Sequence, residues 1–151
     1  VSSFRKDPVP VPEPATPTVE RSVVLPLPAE EAWEVVTERE HLEGWLAREV
    51  ELDLRPGGEG RFRLDDGSER DAVVESVDDG RRYAFWWRST DEDAGPPTRV
   101  EISLDPEGDE ATVLTVVESG HADAGLQAVA AWAWETTLSA CAGASASMLA
   151  A

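Results

Sequence analysis

The C-terminal stretch Ala124–Ala151 runs AGLQAVAAWAWETTLSACAGASASMLAA. Its only charged side chain is Glu135, in a protein with 31 acidic and 13 basic residues and a formal net charge of −18. A surface helix in such company should carry charge on its outer face. The segment is therefore expected to be covered over much of its length, and what covers it sets the architecture. Gln127, Glu135, Thr136, Thr137 and several serines, in a mostly alanine background, make it poor material for a membrane span.

Read as a helix at about 100° per residue, with Trp134 as reference, Ala130, Leu138, Cys141, Ser145 and Met148 fall within about 40° of one line, and Leu149 at about 60°. That is a seam of about four turns with small members that allow close approach to a sheet. Trp132 lies about 160° from Trp134 and cannot share it. Either Trp132 is exposed, or it packs on an N-terminal arm, on a loop or on another subunit.

Upstream of the helix the hydrophobic period is two. Val50, Leu52 and Leu54 alternate with acids, Phe62 and Leu64 with arginines, and Tyr83, Phe85 and Trp87 share one face of the next run but one. Arg70 to Val77, Val100 to Leu104 and Thr112 to Ser119 complete the series, separated by turn signals such as Asp66-Gly67 and Asp79-Gly80. An earlier strand, Val19 to Leu25, is followed by Pro28-Ala29-Glu30-Glu31, a helix start with acids at the positive end of the dipole. Ala32, Trp33, Val35 and Val36 give that helix its apolar stripe, and a second short helix runs from Glu38 to Trp45. Seven strands joined mostly by tight turns imply an antiparallel sheet with one apolar face. The C-terminal helix is the only large element available to cover that face. The fold class is α+β: a curved antiparallel sheet around a long C-terminal helix.

Residues 1–18, with Pro8, Pro10, Pro12, Pro14 and Pro17, read as an extended arm rather than a packed element. Residues 19–151 form one domain and carry the whole negative charge. Such a surface lacks the basic patch that nucleic acid requires, and it disfavours an anionic membrane. Nothing in the N-terminal stretch resembles the apolar run of a signal peptide, so a cytoplasmic protein is expected. Cys141 is alone, which excludes an intramolecular disulfide and a cysteine-built zinc site; it reads as a small buried hydrophobe. No metal-ligand spacing occurs, and neither a metal nor a cofactor is expected. The Gly57-Gly58-Glu59-Gly60 run is a hairpin turn, with no following lysine or helix to make a phosphate loop.

Catalytic groups are few. Glu118 continues the Leu114–Val116 face of the last strand, and it either turns into a cavity mouth or ends in solvent. His121 follows Gly120 at the entry to the helix, as a cavity-rim hydrogen-bonding group or an exposed loop residue. These two are the weak candidates for acid–base work. Arg63 and Glu75 are candidates for a pair inside or outside the sheet, with faces that depend on bulges. Tyr83, Phe85, Trp87 and Trp134 are candidates for lining a binding cavity, with plain core packing as the alternative for each.

The segments 19–25 (VERSVVL), 28–33 (PAEEAW), 41–46 (HLEGWL), 56–58 (PGG), 80–87 (GRRYAFWW) and 133–138 (AWETTL) together resemble the START-like (SRPBCC) superfamily. The nearest branch is that of the homologues of the activator of the heat-shock-protein-90 ATPase. The likeness covers about residues 19–149 and leaves out the proline-rich arm. It implies the helix-grip fold, a seven-stranded sheet wrapped around the C-terminal helix with a cavity between. It also implies an aromatic at Trp45 near the cavity entrance.

The first expectation is thus a binding protein rather than an enzyme, holding a small hydrophobic, lipid-like or polycyclic molecule in a cavity of about 300–1,000 Å³. The resemblance implies two rivals. One is a polyketide cyclase or dehydratase using Glu118 and His121; the other is a co-chaperone-like interaction module using Trp86, Trp132 and the arm. Through the Trp132 face or the arm, a homodimer is the expected protein partner.

Overall fold

The structure, a computed structural model, describes residues 18–91 and 95–150, without the side chains of residues 147–150. The arm, Met148 and Leu149 of the expected seam therefore lie outside what is described. Strand β1 (Thr18–Leu25) begins one residue inside the expected arm; helices α1 (Ala29–Thr37) and α2 (Arg39–Trp45) follow. Six strands come next: β2 (Glu49–Leu52), β3 (Glu59–Arg63), β4 (Glu69–Asp78), β5 (Arg82–Ser89), β6 (Thr98–Pro106) and β7 (Thr112–Ser119). Helix α3 (Ala124–Ala150) closes the chain.

The seven strands form one antiparallel sheet in the order β1-β7-β6-β5-β4-β3-β2. From β2 to β7 the chain is a meander of hairpins, and β1 returns to pair with β7. The two short helices carry the chain from one sheet edge to the other. The inner face holds the core, where Phe62, Phe85, Tyr83, Leu114 and Ile102 are all buried. Aromatic rings run through it in sequence: Tyr83 lies 6.0 Å from Phe85, Phe85 lies 5.4 Å from Trp87, and Trp87 lies 6.1 Å from Trp134 of α3.

Helix α1 has no basic residue in its last turn, yet its terminal carbonyls are not orphaned. Trp33 O accepts Thr37 Oγ1, Val35 O accepts the Trp45 indole N–H at 2.9 Å, and Val36 O accepts the Tyr83 hydroxyl. Two aromatic side chains thereby cap a helix end that backbone geometry leaves open.

Helix α3 packs along β1 and α2. Trp134, Leu138, Cys141 and Ser145 are buried, as one seam. The expected cover over the rest of the helix is not found among the described residues. Leu126, Val129 and Trp132 are exposed, Trp132 by 69%. The sheet can reach only one side of a cylinder, and alanine tolerates the other. Of the two alternatives for Trp132, the described residues leave it in solvent. Trp86 also faces outward, its indole N–H donated to Glu75 at 2.8 Å. Glu75 lies on the outer face in phase with Val73 and pairs there with Arg99, while Arg63 pairs with Glu69, so Arg63 and Glu75 do not pair with each other; the bulge between Val74 and Ser76 brings Val77 to the inner face, opposite Tyr83.

Candidate functional site

Register builds the site. Ala72 lies opposite Trp87, Trp87 opposite Thr98, Arg70 opposite Ser89, and Glu118 opposite both Val100 and Val19. Because side chains alternate, Arg70 shares the inner face with Ala72, Ser89 with Trp87, and Thr98 with Val100. One end of the inner face thus presents Arg70, Trp87, Thr98 and Glu118 from four adjacent strands. Gly120, at φ +98°, then turns the chain away from β7. That backbone conformation suits glycine, and it brings His121 back toward Glu118 before α3 begins.

Between this sheet end and the first turns of α3 lies a cavity of about 320 Å³. Leu46, Leu64, Trp87, Pro96, Ala130 and Trp134 supply apolar wall, and Leu126 and Val129, both exposed, mark its mouth. The polar lining includes Arg70, Arg88, Thr98, Glu118 and His121.

Glu118 is the organising group. It is 3% exposed, and its carboxylate accepts three hydrogen bonds. Trp134 Nε1 donates to Oε1 at 2.8 Å; Trp87 Nε1 donates to Oε2 at 2.9 Å, and Thr98 Oγ1 donates to the same oxygen. A buried carboxylate is tolerable only with such compensation. His121 Nε2 lies 3.5 Å from Glu118 Oε1, while its buried Nδ1 has no hydrogen-bond partner. The guanidinium of Arg70 sits 4.4 Å from the centre of the Trp87 ring, a cation–π contact. Burial pulls Arg70 below the usual arginine range, and the Glu118 charge opposes that shift.

The expected site residues divide into two groups. Trp87, Glu118, His121 and Trp134 line the cavity. Trp45, Tyr83 and Phe85 do not; they are buried in the core. Trp45 and Tyr83 are committed to α1 carbonyls, and Phe85 is stacked between Phe62 and Tyr83. Sequence reasoning missed Arg70 and Thr98. The signal for Arg70 was present, since it stands two and four residues before Ala72 and Val74 on the inward face. Cys141 is buried, which pushes its thiol up to about 12. Among the described residues no group of three or more His, Cys, Asp or Glu side chains is arranged to hold a metal ion. No helix among them is long and apolar enough to cross a membrane.

Several solved structures share this architecture. DynU16, a protein of the dynemicin biosynthetic locus, is 27% identical with a TM-score of 0.75 over 83% of this chain. This chain spans 46% of DynU16's length. Protein MLL2253 from Mesorhizobium loti is 20% identical with a TM-score of 0.75, over 83% of this chain and 94% of its own. The Aha1 dimer from Colwellia psychrerythraea is 16% identical with a TM-score of 0.65, over 80% of this chain and 90% of its own. Among curated proteins none matches this sequence. Residues 26–142 match the family described as Activator of Hsp90 ATPase homolog 1-like protein, and with its helix-grip architecture the chain belongs to that family.

Proposed function

We propose that this protein binds a small hydrophobic molecule in the cavity between the sheet end and the start of α3. The observation that carries the reading is the cavity itself: about 320 Å³, walled by leucines and two indoles, with a few polar groups gathered at one side. Ligand sites have this composition, apolar for affinity with a few polar groups for orientation. Both indoles of the wall donate to Glu118, so they are held in place before a ligand arrives. The test is titration with a neutral apolar probe, N-phenyl-1-naphthylamine. Saturable one-to-one binding that quenches tryptophan emission is expected, with loss of binding when Ala130→Phe fills the cavity. Probe affinity unchanged by Ala130→Phe would place binding elsewhere and sink the reading.

A second reading is supported by one specific observation, the buried and unpartnered Nδ1 of His121, whose Nε2 faces Glu118. A carboxylate that orients an imidazole leaves the far nitrogen free as a general base. The corresponding chemistry is proton transfer at a carbon beside a carbonyl, the step that opens cyclisation or dehydration. Here His121 Nδ1 takes the proton and returns it. Deuterium exchange into 2-tetralone, followed by NMR, checks this: the protein should accelerate it and His121→Phe should not. Equal rates for both would remove the reading.

A further inference from the structure

In a chain where acids outnumber bases 31 to 13, the cavity wall holds an arginine. Its charged groups are Arg70 and Glu118, with His121 beside them, while Arg88 is exposed at the edge, in phase with the outward Trp86. Glu118 is not available as a partner for incoming groups, because Trp87, Trp134 and Thr98 already donate to its two oxygens. Arg70 is the opposite case. Several arginines on the outer surface are closely ion-paired: Arg21 with Glu135, Arg61 with Asp71, Arg63 with Glu69 and Arg99 with Glu75, all at 2.9–3.0 Å. Arg70 forms no ion pair among the described residues, although the charges of Glu118 and Asp66 reach it. Arg70 is moreover drawn into the wall, its guanidinium placed on the Trp87 ring. A cation–π contact uses none of the guanidinium N–H groups as hydrogen-bond donors to an oxygen, and Arg70 makes no side-chain hydrogen bond among the described residues. Desolvating such a group without a hydrogen-bonded counter-ion is costly, and an anionic ligand would remove that cost.

We propose that the molecule held in this cavity is an acid: a flat apolar body bearing one carboxylate, which the in-plane N–H groups of Arg70 bind. His121 Nδ1, buried and unpartnered, lies in the same cavity. The proposal rests on the ligand-binding reading above. The net charge of −18 acts against an anion at a distance, yet screening confines that repulsion to about 8 Å at physiological salt. Inside the apolar wall Arg70 must outweigh the charge of Glu118, which its neutral donors stabilise but do not cancel.

The test compares naphthalene-2-carboxylate with its neutral methyl ester by tryptophan quenching and calorimetry. Wild-type protein should bind the carboxylate about ten- to a hundredfold more tightly, the range of charge-assisted hydrogen bonds. Arg70→Met keeps the stem over Trp87 and should reduce the preference to about twofold or less with ester affinity unchanged. If wild-type protein binds the ester as tightly as the carboxylate, the acid class is overturned while the ligand-binding reading stands. If neither binds, both fall. A carboxylate preference that survives in Arg70→Met overturns the assignment to Arg70. Should that variant not fold, Arg70→Lys replaces it: a single ammonium should lose most of the preference, and an undiminished preference would count against the proposal.

Discussion

Trp134 of α3 donates its indole N–H to Glu118 of β7 at 2.8 Å, with neither residue more than 4% exposed. The same carboxylate takes the indole N–H of Trp87 and the hydroxyl of Thr98. One side chain thus joins β5, β6, β7 and α3.

Removing that carboxylate should strand three donors. Glu118→Ala is expected to cost about 3–5 kcal/mol, because unpaired buried polar groups are expensive. Glu118→Gln offers one acceptor oxygen and turns an amide N–H₂ toward the remaining donors, so about 1–3 kcal/mol is expected. Urea denaturation of the two variants gives both numbers. A Glu118→Ala cost below that of Glu118→Gln would contradict the arrangement.

The two tryptophans of α3 should behave oppositely. Trp134→Phe loses an indole donor inside the core and should cost about 1–2 kcal/mol. Trp132→Ala, at a position 69% exposed, should change stability by no more than about 0.5 kcal/mol. Guanidinium unfolding of both decides, and a large loss at Trp132 would mean that something covers it.

How much of this was legible in the sequence follows from the period of each element. Alternation in β2 to β7 is a local property, so strand number and the inward face could be read from residues such as Tyr83, Phe85 and Trp87. Glu118 could be placed on that face by counting from Leu114. What it touches could not: Trp87, Thr98 and Trp134 lie 31, 20 and 16 residues away, and only the tertiary register aims them at one carboxylate. Trp45 and Tyr83 carried no signal that their polar atoms would be used up by the end of α1. Arg70 stood in an inward phase, but an arginine beside a turn reads as solvated until the ring beneath it is seen. The outer face of α3 went the other way, because missing charge signalled cover and the described residues supply none.

Alkali should weaken the fold in a defined window. Burial pushes the Cys141 thiol from 9.0 up to about 12, and it also raises the Tyr83 hydroxyl above its ordinary 10.0. The unfolded chain therefore releases these protons first and binds fewer of them. Stability is full below about pH 9 and is expected to fall as pH rises from there toward about 12, by about 1.4 kcal/mol per unit for each titrating group. Urea midpoints at pH 8, 9.5 and 10.5 measure the slope. Cys141→Ala should flatten it, and an unchanged slope would show that the thiol does not contribute.

The corner between β7 and α3 should tolerate little. Gly120→Ala places a side chain at φ +98° and is expected to cost about 1–3 kcal/mol. Because Glu118 and His121 flank that corner, the tryptophan emission maximum should shift in the folded variant as well. Thermal melts and emission spectra check the two effects separately.

The rotation of α3 about its own axis is held by polar contacts as well as by its buried seam. Trp134 donates to Glu118, Gln127 donates to the Thr18 carbonyl, and Glu135 accepts Arg21. Of these, only the Glu118 contact lies in the cavity wall, where it works as a detent: by holding Trp134 inward it fixes one side of the cavity.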